Sequence, residues 1–247
     1  MNRPCKELKR IARQNLSGRY GIPMAALLIT GSIPMVAELP FSMLQQNTQP
    51  LSQTIIFYIA DFLISLLAVV LSAGLTKLHL ALARGQKYDL GMVFYGFKNH
   101  PDHFILVGLL LTLLELLCMS PLLAAYFIFI QSDKTLSVSQ ILLVVLLGII
   151  SMILTVFIQL VYAFPLYLIL DDPNLNALRA IRNSRLLMRK QKRRLLYIYL
   201  SFIGMQLLNL LTLGIGSLWI MPYQQQTITN FYLELRSELP AYVENRP

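Results

Sequence analysis

Charge is what this sequence has least of. Only 13% of its 247 residues are charged, against 56% hydrophobic; soluble domains carry about 25% charged residues. Water does not solvate such a composition as one globule, and a lipid bilayer is the solvent that fits it. Cysteine is scarce as well. Cys5 lies in a basic segment and Cys118 deep in an apolar run, a placement that predicts neither a disulfide nor a metal site. The sequence contains no Walker loop, no G-x-S-x-G, no H-E-x-x-H and no dinucleotide fingerprint, which argues against ATP-driven transport by this chain alone. The run His100-Pro101-Asp102-His103 holds two of the three histidines, but Pro101 breaks the helical spacing a metal site needs. No cofactor and no metal is implied, and no enzyme activity is expected.

What the sequence has is apolar length. Residues 22–39, 54–83, 104–130, 139–170 and 195–213 form five clear apolar runs, each long enough for a helix through a ~30 Å hydrocarbon core. Pro23 and Pro34 bend the first. Residues 217–236 begin apolar and turn polar at Tyr223. They are too polar for lipid but suited to the inside of a bundle, as a sixth span or a re-entrant segment. The expected fold is an all-α integral membrane helical bundle forming a single domain over 1–247.

Three further segments read as interfacial. Residues 3–18 place Cys5, Leu8, Ala12, Asn15 and Leu16 on one face of a helix with lysines and arginines opposite. Such a basic amphipathic helix suits an anionic membrane surface, and is read as part of the mature chain rather than a signal peptide. Residues 88–99, with the run Phe94–Lys98, mix aromatic and polar groups. Asp172-Pro173 is a helix-start signal for a helix over 174–191, with Ala177, Ala180, Ser184, Leu187 and Met188 on its inner face. His79, near the end of the second run, also reads as an interfacial residue.

The net charge of +9 has a positional explanation. Six basic residues lie in the N-terminal segment, four around 77–98 and eight around 171–194, while the segments 40–53 and 131–138 hold only Lys134. The positive-inside rule then makes the N-terminus cytoplasmic, and a sixth span returns the C-terminus to the same side. Nucleic acid is not an expected partner, because no recognition motif accompanies the charge. Anionic lipid headgroups are, at Arg189, Lys190, Lys192, Arg193 and Arg194.

A weak internal repeat accompanies this plan. A shift of 172 positions carries Cys5, Leu8, Ala12, Asn15 and Leu16 onto Ala177, Ala180, Ser184, Leu187 and Met188. Leu16-Ser17-Gly18 also matches Phe94-Tyr95-Gly96 locally. The pattern suggests three units, each an interfacial helix followed by a hairpin; in transporters such repeats frame a central site.

These residues resemble a family of uncharacterised bacterial membrane proteins catalogued as domain of unknown function 975. The likeness is carried by the opening helix ending in Leu16-Ser17-Gly18, the Phe94–Lys98 run, Asp172-Pro173 with Ser184 and Met188, and above all Leu211–Tyr223 followed by Thr227 and Phe231-Tyr232. Lys190 stands where the family pattern leads one to expect glycine. The resemblance implies a polytopic protein of the bacterial cytoplasmic membrane and no particular activity.

Asp61 and Glu115 fall inside the second and third runs, and acids at such depth are functional candidates. Gln159, Gln206, Asn209, Gln226 and Asn230 are potential partners for Glu115. Tyr223, Gln226, Thr227 and Asn230 share one face of the last helix, where they either line a polar cavity or bind the helix into the bundle. Three functions follow in order of preference: a non-catalytic scaffold or accessory factor working with a membrane protein partner, a small-solute or proton-coupled transporter, and an intramembrane enzyme on lipid or peptide.

Overall fold

The computed structural model describes residues 3–44, 51–125 and 137–238. Every regular element among them is helical. The basic opening helix α1 covers Cys5–Leu16. It turns through Gly18, at φ +71°, into α2, Gly21–Leu44, which packs along α3, Leu51–Ala83. A 3₁₀ turn at Leu90–Phe94 and the short α4, Tyr95–Lys98, lie against α3. Helix α5, Pro101–Ala125, pairs with α6, Val138–Val161. After a break at 162–164 the chain continues as α7, Pro165–Asp171, and α8, Ala177–Leu187. Then come α9, Lys192–Leu200, and α10, Ile203–Leu211. The last helix, α11, covers Ser217–Glu238.

Among the described residues, five segments are long and apolar enough to cross a membrane: Gly21–Phe41, Thr54–Ala83, Pro101–Ala125, Val138–Asp171 and Lys192–Leu211. They match the five runs read from sequence within a few residues, save that 126–130 lie outside the described residues. Two of the five are broken. Tyr162–Phe164 interrupts the fourth, and Ser201-Phe202 separates α9 from α10.

The break before α7 is held by one side chain. Ser184 of α8 accepts a hydrogen bond from the Phe164 N–H (3.1 Å) and donates one to the Val161 carbonyl (3.3 Å). Both backbone groups lost their helical partners at the break, and both are buried, where an unmade bond is costly. This gives Ser184, one of the residues carrying the family likeness, a structural role.

Burial is concentrated at one end. Leu8, Leu16, Phe104, Phe164, Met188 and Tyr232 are almost fully buried in one cluster. It lies where α1, the end of α3, the start of α5, α7, α8 and α11 meet; we call it the basic end. Away from it, the apolar segments keep large exposed side chains such as Leu63, Leu117, Met152 and Leu211. That surface suits lipid rather than water.

Helix α1 does not turn its apolar face to lipid, as the sequence suggested. Leu8, Ala12 and Leu16 are covered by protein, chiefly α11, with α3 and α9 alongside. Its direction opposes that of α11: Arg3 meets Glu234, Asn15 meets Asn230, and Arg13 lies over Tyr223. The physical reason is that α11 offers a partly polar face that lipid cannot solvate, whereas an amphipathic helix can. Lys9 donates to the Ser201 carbonyl at 2.8 Å and sits 3.9 Å from the centroid of the Phe202 ring. Burial holds its ammonium below the usual lysine range, partly offset by Cys5.

The proposed repeat has a backbone counterpart. Lys190, the position that a shift of 172 pairs with Gly18, has φ +70°, against +71° for Gly18. Both residues end an amphipathic helix by entering the left-handed region before a long apolar helix begins. His100, at φ +52°, does the same between α4 and α5. The glycine expected at position 190 has a steric reason, and lysine occupies a conformation that disfavours it.

Candidate functional site

The polar residues predicted from sequence do not form one site. Asp61 is exposed on α3. It is 23 residues from Arg84, which directly follows α3, or ~35 Å along the axis, more than the ~30 Å core. It therefore lies toward the end opposite the basic core. Glu115 accepts from Gln159 Nε2 at 3.4 Å across the α5–α6 pair, with Gln159 itself exposed. Glu115 is 14 residues, ~21 Å, along α5 from Pro101 and seven past Gly108, which abuts Val69 of α3, so it lies at about the depth of Asp61. Asn209 belongs to the turn joining α10 and α11.

That turn explains the most family-like stretch. Leu213 and Gly214 adopt φ of +52° and +89°. Thr212 Oγ1 donates to the Asn209 carbonyl and accepts from Gly216 N–H, both at 3.0 Å. A Cβ on Gly216 would stand 2.9 Å from that hydroxyl and 3.2 Å from Asn209 Oδ1. The Leu211–Tyr223 pattern thus encodes a hairpin.

The remaining candidates converge on α11. Gln226 and Thr227 are fully buried; Tyr223 and Asn230 nearly so. Gln226 Oε1 lies 2.8 Å from His79 Nδ1, and its Nε2 donates to the His79 carbonyl at 3.4 Å. Thr227 donates to the Tyr223 carbonyl at 2.8 Å within its own helix. Asn230 Oδ1 accepts from Asn15 Nδ2 at 3.3 Å. Tyr223 packs edge-on against Phe202.

Sequence reasoning missed half of this network. His79, expected at the interface, is fully buried. Tyr167 bonds Thr229 at 3.1 Å and accepts from Gln225 Nε2 at 3.1 Å. Two carboxylates lock the basic end. Asp171 receives Arg84 at 2.6 Å and the Tyr232 hydroxyl at 2.6 Å, joining α7, α3 and α11. Glu234 receives Arg194 and the Arg3 N–H, both at 2.9 Å, joining α11, α9 and the residue before α1. The available signal was the basic cluster at 189–194, which read as lipid-facing throughout. Instead Arg194 points inward, and Lys192 lies 4.4 Å from the centroid of Phe157. Arg189, Lys190 and Arg193 remain exposed.

Beside this network lies a cavity of about 370 Å³. His79, Tyr199, Gln206, Gln224 and Gln225 supply its polar lining. Leu27 of α2, Leu75 of α3 and Met221 of α11 supply apolar wall. Gln206 Nε2 donates to Gln224 Oε1 at 3.3 Å across it. Among the described residues, no group of three or more His, Cys, Asp or Glu is placed to hold a metal ion.

Fold and site together define a helical membrane protein whose last, polar helix is the core of its basic end. Over residues 1–238 the chain matches the family described as protein of unknown function DUF975, and it belongs to that family. No curated protein and no solved structure matches it.

Proposed function

We propose that the protein is a non-catalytic scaffold or accessory factor of the bacterial cell envelope. It resides in the cytoplasmic membrane with the basic end and both termini on the cytoplasmic side. The observation that carries this reading is the closure of α11 by its own neighbours. Asn15, His79 and Tyr167 bond Asn230, Gln226 and Thr229. A carrier needs such groups along a water path; here helices α1, α3 and α7 occupy them. The orientation rests on the basic residues gathered at one end.

The exposed face of α8 supports contact with anionic headgroups. Arg182, Arg185, Arg189 and Lys192 border a groove of about 480 Å³, and each basic residue near an anionic surface contributes about 1 kcal/mol. The contact is thus shifted from 189–194 toward 182–192. The scaffold's partner is a membrane protein seated on the sparsely packed half. Photo-crosslinkers at exposed Leu63, Leu117 and Met152 test this in living cells. The expected result is a discrete protein adduct from one face and lipid adducts elsewhere. Lipid adducts alone at all three positions would remove the scaffold reading.

A transporter is the second reading, and the cavity beside His79 is what favours it. It requires that cavity to continue past α11, where Gln226, Thr227 and Thr229 are fully buried. An intramembrane enzyme needs acids within reach of one another; the packing of Val69 against Gly108 sets Asp61 and Glu115 at similar depth, but Glu115 is engaged by Gln159 of α6.

A further inference from the structure

The cavity beside His79 has a donor–acceptor pattern that specifies a guest. His79 is fully buried, and its Nε2 has no hydrogen-bond partner among the described residues. Gln226 fixes the tautomer. Its amide nitrogen donates to the His79 carbonyl, so its oxygen faces Nδ1 and accepts the Nδ1 proton. The neutral ring then carries a bare lone pair on Nε2. A buried acceptor without a partner is costly.

The rest of the lining is polar and uncharged. The Gln206–Gln224 bond leaves Gln206 Oε1 and Gln224 Nε2 unused, and Gln225 donates to Tyr167 through Nε2, which leaves its oxygen. Acceptors therefore outnumber donors. No lysine, arginine, aspartate or glutamate lines the space, so a fully charged guest would be desolvated without a counter-ion. The rim includes half-buried Leu27 and exposed Met221, both apolar side chains, as suits a mouth opening toward acyl chains.

We infer that this cavity binds an uncharged, multiply hydroxylated group of about hexose size. One hydroxyl donates to His79 Nε2, an atom with almost no free surface until the side chains around it part, and others bond the glutamine amides. Glycolipid headgroups and free sugars share this chemistry; the apolar rim favours the lipid. The inference goes beyond the scaffold reading and does not depend on it.

The test uses the full chain in phosphatidylglycerol nanodiscs, with and without a minor fraction of monoglucosyl-diacylglycerol, and separately with methyl glucoside. Native mass spectrometry reads retention, and ¹⁵N-histidine NMR reads His79. Glycolipid is expected to be retained and to move the Nε2 resonance away from that of a free acceptor nitrogen. Gln224→Leu, which removes a lining group bonded among the described residues to Gln206, should lower retention about tenfold. Should that variant misfold, the NMR shift on the unaltered protein still decides. A response to methyl glucoside equal to that to glycolipid would support the same site and assign it to soluble sugars. An unmoved Nε2 resonance with both sugars, or equal retention of phosphatidylglycerol and glycolipid, would overturn the proposal. Loss of the scaffold's protein adduct would leave these readouts untouched.

Discussion

Single residues decide how the helices end and break. Lys190 holds a left-handed backbone that favours glycine, at φ +70°. Lys190→Gly should raise stability by about 1 kcal/mol, visible as a higher melting temperature in detergent. Gly18→Ala should lower it by a similar amount, because its Cβ meets nothing within 4 Å and only the φ of +71° opposes it. Ser184→Ala leaves the buried Phe164 N–H and Val161 carbonyl without their partner and should cost about 1–3 kcal/mol. The first of these was partly legible in the sequence, as a departure from a pattern; the reason, a shared left-handed turn, needed the backbone. The role of Ser184 was not legible, because periodicity shows which face a serine occupies and not which broken turn lies opposite.

Among elements, close backbone approach sets the packing. A Cβ on Gly74 would stand 1.9 Å from the Val93 carbonyl oxygen, so the 3₁₀ turn at Leu90–Phe94 sits directly on α3. Gly74→Ala should push that turn off. A cysteine placed at Val93, which is fully buried, should then react with a thiol reagent it otherwise escapes. The apolar runs were legible because a bilayer demands long uninterrupted segments, and the fivefold count follows from length alone. The seat of α1 was not. Its amphipathic pattern fits a membrane surface and a partner helix equally, and only the polar face of α11 selects the second.

At the scale of the whole molecule, a tightly packed basic end anchors paired apolar helices whose outer faces are exposed. Two ion pairs hold that end, each with a largely buried carboxylate: Asp171 with Arg84 and Glu234 with Arg194. Removing one partner of a buried pair costs about 3–5 kcal/mol. Glu234→Ala should therefore destabilise the protein severely and release α1, detected as new proteolytic cleavage near Arg3. Replacing Arg194 and Glu234 together by apolar residues should recover much of the loss.

The central claim is that protein, not water, covers the polar face of α11. Its most direct test is thiol labelling in native membranes with single cysteines at Thr227, Asn230 and exposed Arg193, after replacing Cys5 and Cys118. Labelling at 193 with none at 227 and 230 is the predicted result. Joint labelling of 227 and 230 by a small water-soluble reagent would contradict it, since those positions would then line an aqueous path and the protein would be a carrier.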